Sequence, residues 1–514
     1  MTGPHAYPGK PFSWFVNGPA LAAAVVLALA VRFYGITTPA IWYDEAFSIL
    51  LASHEPWQIW SITAKDVHPP LYYFMLHYWM VLFGDEALAV RSLGVVADVG
   101  TVLLSIKLMS LVATRRATWM AALLLALLPI SVRYSQEARM YTLLGFWLMG
   151  ATVALVCWVK APEKKRFAAI YVMLMTAAFY THYFAALSVL AHWFYWWWGA
   201  RFFRPVLPAR AWILVNGVIV MLFLPWMPHF IEQLSMNGLK WIPPVTAHSV
   251  LSLVWQFTIM NAVEEQLRLL HAVPLVVVLA CAAVMIWKDH GQYCFNGLLI
   301  GYFLIPAFIL ILVALVVPVF STRYLVFAAV GVPLIIATTL DIVGRRIVLL
   351  LPALMVVLTS EILGVYAVYQ QADTLNGTNF RSSLRLDGLA VQIKQAARSN
   401  DEIVVEFLLL YLPFSYYNRT GIQPRIYTDA SFNIASGFSN RNGYALLNER
   451  PKGGYYADLK RLNSFGHRVW WITFRVNATP PLSDKYWERS LTLVDGDVVA
   501  YLFTRRTISA SPLK

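Results

Sequence analysis

The sequence predicts a polytopic α-helical membrane protein with a soluble α/β domain at its C-terminal end, and two observations carry the architecture. Of 514 residues, 59% are hydrophobic, 15% aromatic and only 13% charged, with a mean hydropathy of +0.59, too apolar for a soluble chain of this length. The apolar residues also gather into runs of spanning length up to about residue 370, after which polar and apolar residues intermix.

The first run, 19–36, follows a weakly basic start and shows no small-residue cleavage site, so it reads as a retained span rather than a signal peptide. Further runs fall at 88–112, 117–132, 141–159, 167–181, 183–200, 211–227, 271–288, 293–318, 322–341 and 347–369. They make about eleven transmembrane helices, in a range of about 11–13. Between the first two lies Leu71 to Gly84, short, rich in aromatics and carrying His77. If it crossed, Arg115-Arg116 would face the side opposite Lys164-Lys165-Arg166. Laid along the outer interface, it leaves those clusters, Arg201 to Arg210 and Arg345-Arg346 all on the cytoplasmic side, and this placement is expected. The outer face then holds the 37–87 loop, the turn Arg133 to Arg139, His182, the 228–270 loop, the Ser321-Thr322-Arg323 turn and everything after about 370. The net charge of +13 lies in short clusters between apolar runs, which reads as positive-inside loops and argues against nucleic acid as a partner.

Residues 1–369 are thus expected to form a membrane domain and 370–514 an outer α/β domain large enough to bury its own core. Its patterning predicts helices at Leu384 to Arg398 and Tyr455 to Leu462, with strands at Glu402 to Leu410, Arg468 to Phe474 and Val498 to Phe503. Asp495-Gly496-Asp497 reads as a turn between two strands rather than a metal site, because no partner ligands are spaced around it. Cys157, Cys281 and Cys294 show neither metal-ligand spacing nor a disulfide framework.

The chemistry-bearing residues fall on the outer face. In Trp42-Tyr43-Asp44-Glu45-Ala46, Asp44 is a carboxylate beside an aromatic and the end of a span, suited to removing a proton from an acceptor hydroxyl; the plainer alternative is that it caps a helix beginning at Glu45. In Asp66-Val67-His68-Pro69-Pro70 the two prolines fix a rigid, extended entry that presents Asp66 and His68 at the membrane surface, unless this is an ordinary Pro-initiated helix start with both side chains solvated. Arg91 opens a span, and Arg133 and Arg139 sit with Glu137 in a tight turn between two spans. Arginines so placed hold a phosphate bidentately, or else snorkel to headgroups or pair with Glu137. His182 and the Arg323-Tyr324 pair stand at outer span ends, where they can contact a sugar or a phosphate; alone, His182 reads as a satisfied interfacial histidine. Trp241, Trp255, Gln256, Glu264 and Glu265 can line a carbohydrate cleft, although interfacial tryptophan is common in membrane proteins.

The ordered set Tyr43-Asp44-Glu45, Asp66-Val67-His68-Pro69-Pro70-Leu71, Arg91-Ser92-Leu93, Ser135-Gln136-Glu137-Ala138-Arg139-Met140-Tyr141, His182-Tyr183 and Arg323-Tyr324 resembles glycosyltransferase family 39. That group contains protein O-mannosyltransferases, bacterial aminoarabinose transferases of lipid A and many uncharacterised bacterial enzymes, with the GT-C fold. The resemblance covers Pro19 to Tyr369. It implies inverting transfer of one sugar from a polyprenyl-phosphate donor to an acceptor hydroxyl on the outer side of a bacterial inner membrane. By analogy Asp44 is the general base, with Glu45 and Asp66 orienting it or the acceptor. His68, Arg91, Arg139 and Arg323 bind the donor phosphate, while Tyr43, His182 and Tyr324 contact substrate. No cofactor is implied and no divalent metal is expected. Aminoarabinose transferases carry a lysine before the two prolines, where this chain has His68, closer to the mannosyltransferase pattern. Protein mannosyltransferases carry a large β-trefoil domain between spans, for which the 228–270 loop has no room. The acceptor expected is therefore a polysaccharide, a lipopolysaccharide or a lipid-linked glycan ahead of a protein. Two other classes compete. A transporter or flippase for a lipid-linked intermediate should show a charged or interrupted path near mid-bilayer or pseudo-repeats, and neither is visible. An accessory assembly protein would instead use the C-terminal domain for docking.

Overall fold

The computed structural model describes residues 18–202, 207–235, 242–261, 265–289, 293–344, 347–427, 445–448, 455–456, 468–477, 482 and 486–506. Trp241, Glu264 and Arg345-Arg346 lie outside them.

All of the apolar runs are helical. They become Gly18–Phe33, Ala87–Val112, Arg115–Leu127 with Pro129–Ser135, Tyr141–Lys160, Lys165–Thr181, Ala185–Phe202, Ala209–Phe223, Val273–Trp287, Phe295–Ala314, a broken stretch over Thr322–Val343, and Ile347–Tyr369. Among the described residues 7 helices are long and apolar enough to cross a membrane, or 8 if one bent pair counts as a span. Others are shorter: Gly18–Phe33 has 16 residues, about 24 Å of helix against about 30 Å of hydrocarbon. Leu71–Phe83 has 13, only about 20 Å, too short to cross upright. It buries Tyr72, Tyr73 and Leu76 and exposes Tyr78, Val81, Leu82 and Phe83, a two-faced pattern.

Two local breaks place the site. Pro129 has no N–H to give and disfavours helical backbone before it, so the preceding helix stops at Leu127, Leu128 adopts ψ 110, and Pro129–Ser135 departs at 49°. Arg133, expected in a tight turn, therefore lies in the last turn of a short helix, and the turn itself is Gln136 to Met140. Gly94 lets the Ala87–Val112 helix approach this turn, since a Cβ there would stand 2.8 Å from the Ser135 carbonyl oxygen.

Beyond Tyr369 the chain forms a six-stranded sheet. Its strands are β1 (Glu402–Val405), β2 (Arg425–Tyr427), β3 (Tyr455–Tyr456), β4 (Arg468–Phe474), β5 (Trp487–Asp495) and β6 (Val498–Arg505), in the order β3-β2-β1-β4-β6-β5. The pairs among β3, β2, β1 and β4 are parallel, and β6 and β5 add an antiparallel hairpin. The hairpin turns at Gly496, whose φ of 57° suits glycine, with Asp495 opposite Val498, so Asp495-Gly496-Asp497 is the expected turn.

Two sequence expectations fail here. Tyr455-Tyr456 pairs with Ile426-Tyr427 as a strand rather than starting a helix; 457–467 lie outside the described residues. The strand expected to Leu410 ends at Val405, and Leu408–Tyr417 is a buried helix, because a short run apolar on every side has no period to tell strand from helix. That helix docks on Tyr43–Ala52: the Ile41 N–H donates to the Tyr417 hydroxyl at 2.7 Å, and the Tyr416 hydroxyl donates to the Asp85 carbonyl at 3.0 Å.

Candidate active site

A buried frame comes first. Glu45 and Arg91 are fully buried and form a bidentate pair, Nε to Oε1 and Nη2 to Oε2, both at 2.8 Å. The remaining guanidinium donors reach the carbonyls of Ile36 (2.6 Å), Pro39 (3.0 Å) and Ala40 (3.3 Å), and the Ala138 N–H donates to Glu45 at 3.0 Å. Burial pushes the Glu45 carboxyl up, but Arg91 beside it holds it below the usual value. The fork of Arg91, expected at the donor phosphate, is filled by protein acceptors and ties the 36–45 segment to its own helix. Glu45, expected to orient the base or the acceptor, is held in the same tie, one residue after Asp44.

A second frame lies beneath the 136–140 turn. Arg133 pairs with Glu137 at 2.6 Å and lies 3.6 Å from Asp373, which accepts from the Thr378 hydroxyl at 2.6 Å. Arg381 donates to the Gln136 carbonyl at 2.9 Å and lies 3.9 Å from Glu137. Burial and the neighbouring Arg133 pull Arg381 down to about 9, so it remains a cation at neutral pH. Residues 373–381, beyond the last long helix, thus hold the turn that carries Arg139.

On these frames sits a largely buried cluster in which Asp44 and His68 are partly exposed. Tyr43–Ala52 begins at Tyr43, with extended Trp42 before it, so Asp44 is in the first turn and makes no side-chain cap. Its carboxylate instead pairs with Arg323 Nη1 at 2.8 Å and keeps 19% of its side-chain surface exposed. The Arg323 guanidinium lies 5.7 Å over the Trp42 ring. Behind Trp42 stands Gly377, with φ 93°, where a Cβ would come 2.8 Å from the indole. Arg139, 4% exposed, donates to Ser48 Oγ at 3.1 Å and to the Asp44 carbonyl at 3.4 Å. Its Nε has no hydrogen-bond partner and, among the described residues, no carboxylate pairs with it. On the other side Asp66 holds His68 Nδ1 at 3.2 Å. The His68 ring lies 5.5 Å from that of His182, which lies 5.6 Å from Tyr324 and 6.1 Å from Tyr141.

His182 has a definite proton arrangement. Its Nδ1 accepts the Phe184 N–H at 3.2 Å, so in the neutral ring the proton is on Nε2, which is buried without a partner. Burial, then His68 and Arg139, hold this imidazole well below its usual value. The unfolded chain therefore binds a proton below about pH 6.5 that the folded chain refuses, and stability falls as pH drops through that value, by up to about 1.4 kcal/mol per unit. Thermal unfolding in detergent at pH 7.5 and 5.5 should show a larger loss for the native protein than for His182→Gln; equal losses would overturn the assignment.

Beside the polar cluster opens an apolar groove of about 450 Å³, lined by Trp60, Pro70, Leu71, Phe74, Met173, Thr176, Ala177, Tyr180 and Leu222. One wall continues directly from His68 through Pro70, and the other ends two residues before His182.

The fold therefore brings Asp44, Asp66, His68, Arg139, His182, Arg323 and Tyr324 together, and leaves Glu45 and Arg91 beneath them. Tyr43 is partly buried against the core beside Asp44. Trp255 donates to the Asn261 carbonyl at 3.0 Å and packs 4.7 Å from His271. Sequence reasoning missed Tyr73, whose buried hydroxyl has no hydrogen-bond partner and which burial keeps protonated, with Arg139, Asp66 and Asp44 acting on it. It hid in an aromatic stretch that resembles an interfacial belt. Among the described residues no group of three or more His, Cys, Asp or Glu is arranged to hold a metal ion.

No family model matches the chain, and no curated protein sequence matches it. Solved structures do. ArnT from Cupriavidus metallidurans in the apo state superposes with a TM-score of 0.61 at 13% identity, covering 94% of this chain and 97% of that one. The same protein bound to undecaprenyl phosphate gives 0.60 at 12%, covering 95% and 98%. The apo oligosaccharyltransferase of Archaeoglobus fulgidus gives 0.55 at 10%, covering 91% of this chain and 70% of its own. The expected GT-C fold, helical membrane portion and C-terminal sheet together, is thus the fold of this chain.

Proposed function

We propose that this chain is an inverting glycosyltransferase that moves a sugar from a polyprenyl-phosphate donor to an acceptor hydroxyl at the outer surface of a bacterial inner membrane. The observation that carries it is Arg139: a buried guanidinium with no carboxylate paired to it among the described residues, next to a partly exposed carboxylate, Asp44, in a cluster whose His68 and His182 adjoin the walls of an apolar groove. A cation so placed calls for an anion from outside the protein, and the groove suits an isoprenoid chain attached to it. That ArnT was solved with undecaprenyl phosphate supports the same ligand class.

In the transfer, the acceptor oxygen attacks the anomeric carbon from the face opposite the phosphate, and its proton passes to Asp44. The bond from the anomeric carbon to the phosphate oxygen breaks, and its electron pair leaves on the polyprenyl phosphate. Arg139 and the Nε2–H of His182 stabilise the charge growing there, with Arg323 shared between Asp44 and the phosphate. His68, held by Asp66 and beside His182, joins them at the phosphate, and Tyr324 lines the sugar. Two arginines supply the positive charge a metal would otherwise bring, so the reaction is read as metal-independent. Residues 1–369 form the catalytic domain, and 370–514 an outer domain whose first residues brace the site. The acceptor is read as a glycan or lipid ahead of a protein. Mass spectrometry of surface glycans and lipid A from a strain lacking this chain should show one sugar missing against wild type; identical glycans would overturn the reading.

A further inference from the structure

The two walls of the apolar groove come from distant parts of the chain, and one set of hydrogen bonds joins them. Trp226 Nε1 donates to the Tyr183 hydroxyl at 2.8 Å, and that hydroxyl donates to Gln233 Oε1. Gln233 Nε2 then donates to the Thr63 carbonyl at 2.8 Å and reaches that of Ala64 at 3.4 Å. The Thr63 carbonyl also accepts the Asp66 N–H at 3.0 Å. Tyr183 directly follows His182, and Thr63 closes the helix Pro56–Thr63 that leads into Asp66 and His68. Gln233 is 6% exposed, and Trp60 of one wall meets Trp226 edge-on at 4.7 Å. No other part of the proposed mechanism uses these residues.

We propose that Gln233 is a positioning residue: the Trp226, Tyr183, Gln233, Thr63 relay fixes the separation of the groove walls, so that one lipid phosphate meets His68 and His182 together. A carboxamide is the group this position needs, because it must accept from a hydroxyl on one wall and donate to a carbonyl on the other. Buried from water, neither function is replaced by solvent once removed, so the walls lose their register. The 2.8 Å bond to Thr63, with the longer one to Ala64, reaches the stretch of chain that carries Asp66, which makes the amide nitrogen the critical half. The inference rests on the polyprenyl-phosphate reading above.

The test is binding of undecaprenyl phosphate to the purified full chain in detergent micelles. Gln233→Leu and Tyr183→Phe should each weaken binding about 5- to 10-fold, and the double variant should be no weaker than the weaker single, because both break one relay. Tyr183→Phe removes a single hydroxyl and keeps the test usable should Gln233→Leu fail to fold. Thr152→Val, which breaks the 3.0 Å contact of Thr152 with His192 deep in the bundle, should lower the melting temperature without changing binding. Wild-type affinity in both relay variants, or equal weakening in Thr152→Val, overturns the positioning role. Failure of the wild-type chain to bind undecaprenyl phosphate instead overturns the proposed function itself.

Discussion

Asp44→Asn should fold as the native protein does and transfer sugar about 10²- to 10⁴-fold more slowly. The amide keeps an oxygen to accept the 2.8 Å bond from Arg323, so the segment has no reason to move. What it loses is the ability to take a proton, and an acceptor hydroxyl that keeps its proton is a poor nucleophile. Arg323 loses its counter-charge at the same time, so binding of polyprenyl phosphate should hold or tighten. A fall in rate with retained donor binding separates a base from a residue that merely shapes the pocket. Transfer within about 10-fold of wild type would remove Asp44 from the chemistry. An accessory assembly role would likewise survive the substitution.

Arg91→Ala should be the most destabilising single change, by about 3–5 kcal/mol. It strands the Glu45 carboxylate at full burial with the Ala138 N–H as its remaining bond, and takes the donor from three carbonyls at residues 36, 39 and 40. The readout is the melting temperature and monodisperse yield in detergent. Glu45→Leu with Arg91→Leu should recover much of the loss, because the cost lies in the unpaired charge more than in the missing pair. Were Arg91 a phosphate ligand, as its position at the head of a span first indicates, the alanine variant would melt normally and fail to bind donor.

The helices and the Asp495–Asp497 hairpin were legible in the sequence because each rests on local chemistry: hydrophobic length in one case, glycine at a tight turn in the other. Strand β3 and the Leu408–Tyr417 helix were not, because neighbouring strands and core burial decide the conformation of such short apolar runs. The same division runs through the site. Asp44, Asp66, His68, Arg139, His182 and Arg323 could be named from residue type and from their place at the ends of apolar runs. Gln233 and Tyr73 carried no signal, since a lone glutamine in a segment that reads as a loop and a tyrosine in an aromatic stretch are ordinary.

The sequence by itself determined that this is a helical membrane protein with carboxylates and cations concentrated in a few connecting segments. Only the tertiary structure decided which cation serves which carboxylate. Arg91 and Glu45 are 46 residues apart, and Arg323 and Asp44 are 279 apart. An arginine is structural when protein oxygens fill its fork and available to a ligand when they do not, and that depends on which distant segments fold against it. Arg91 met a buried glutamate and three carbonyls, whereas Arg139 met one serine hydroxyl and, at 3.4 Å, one carbonyl.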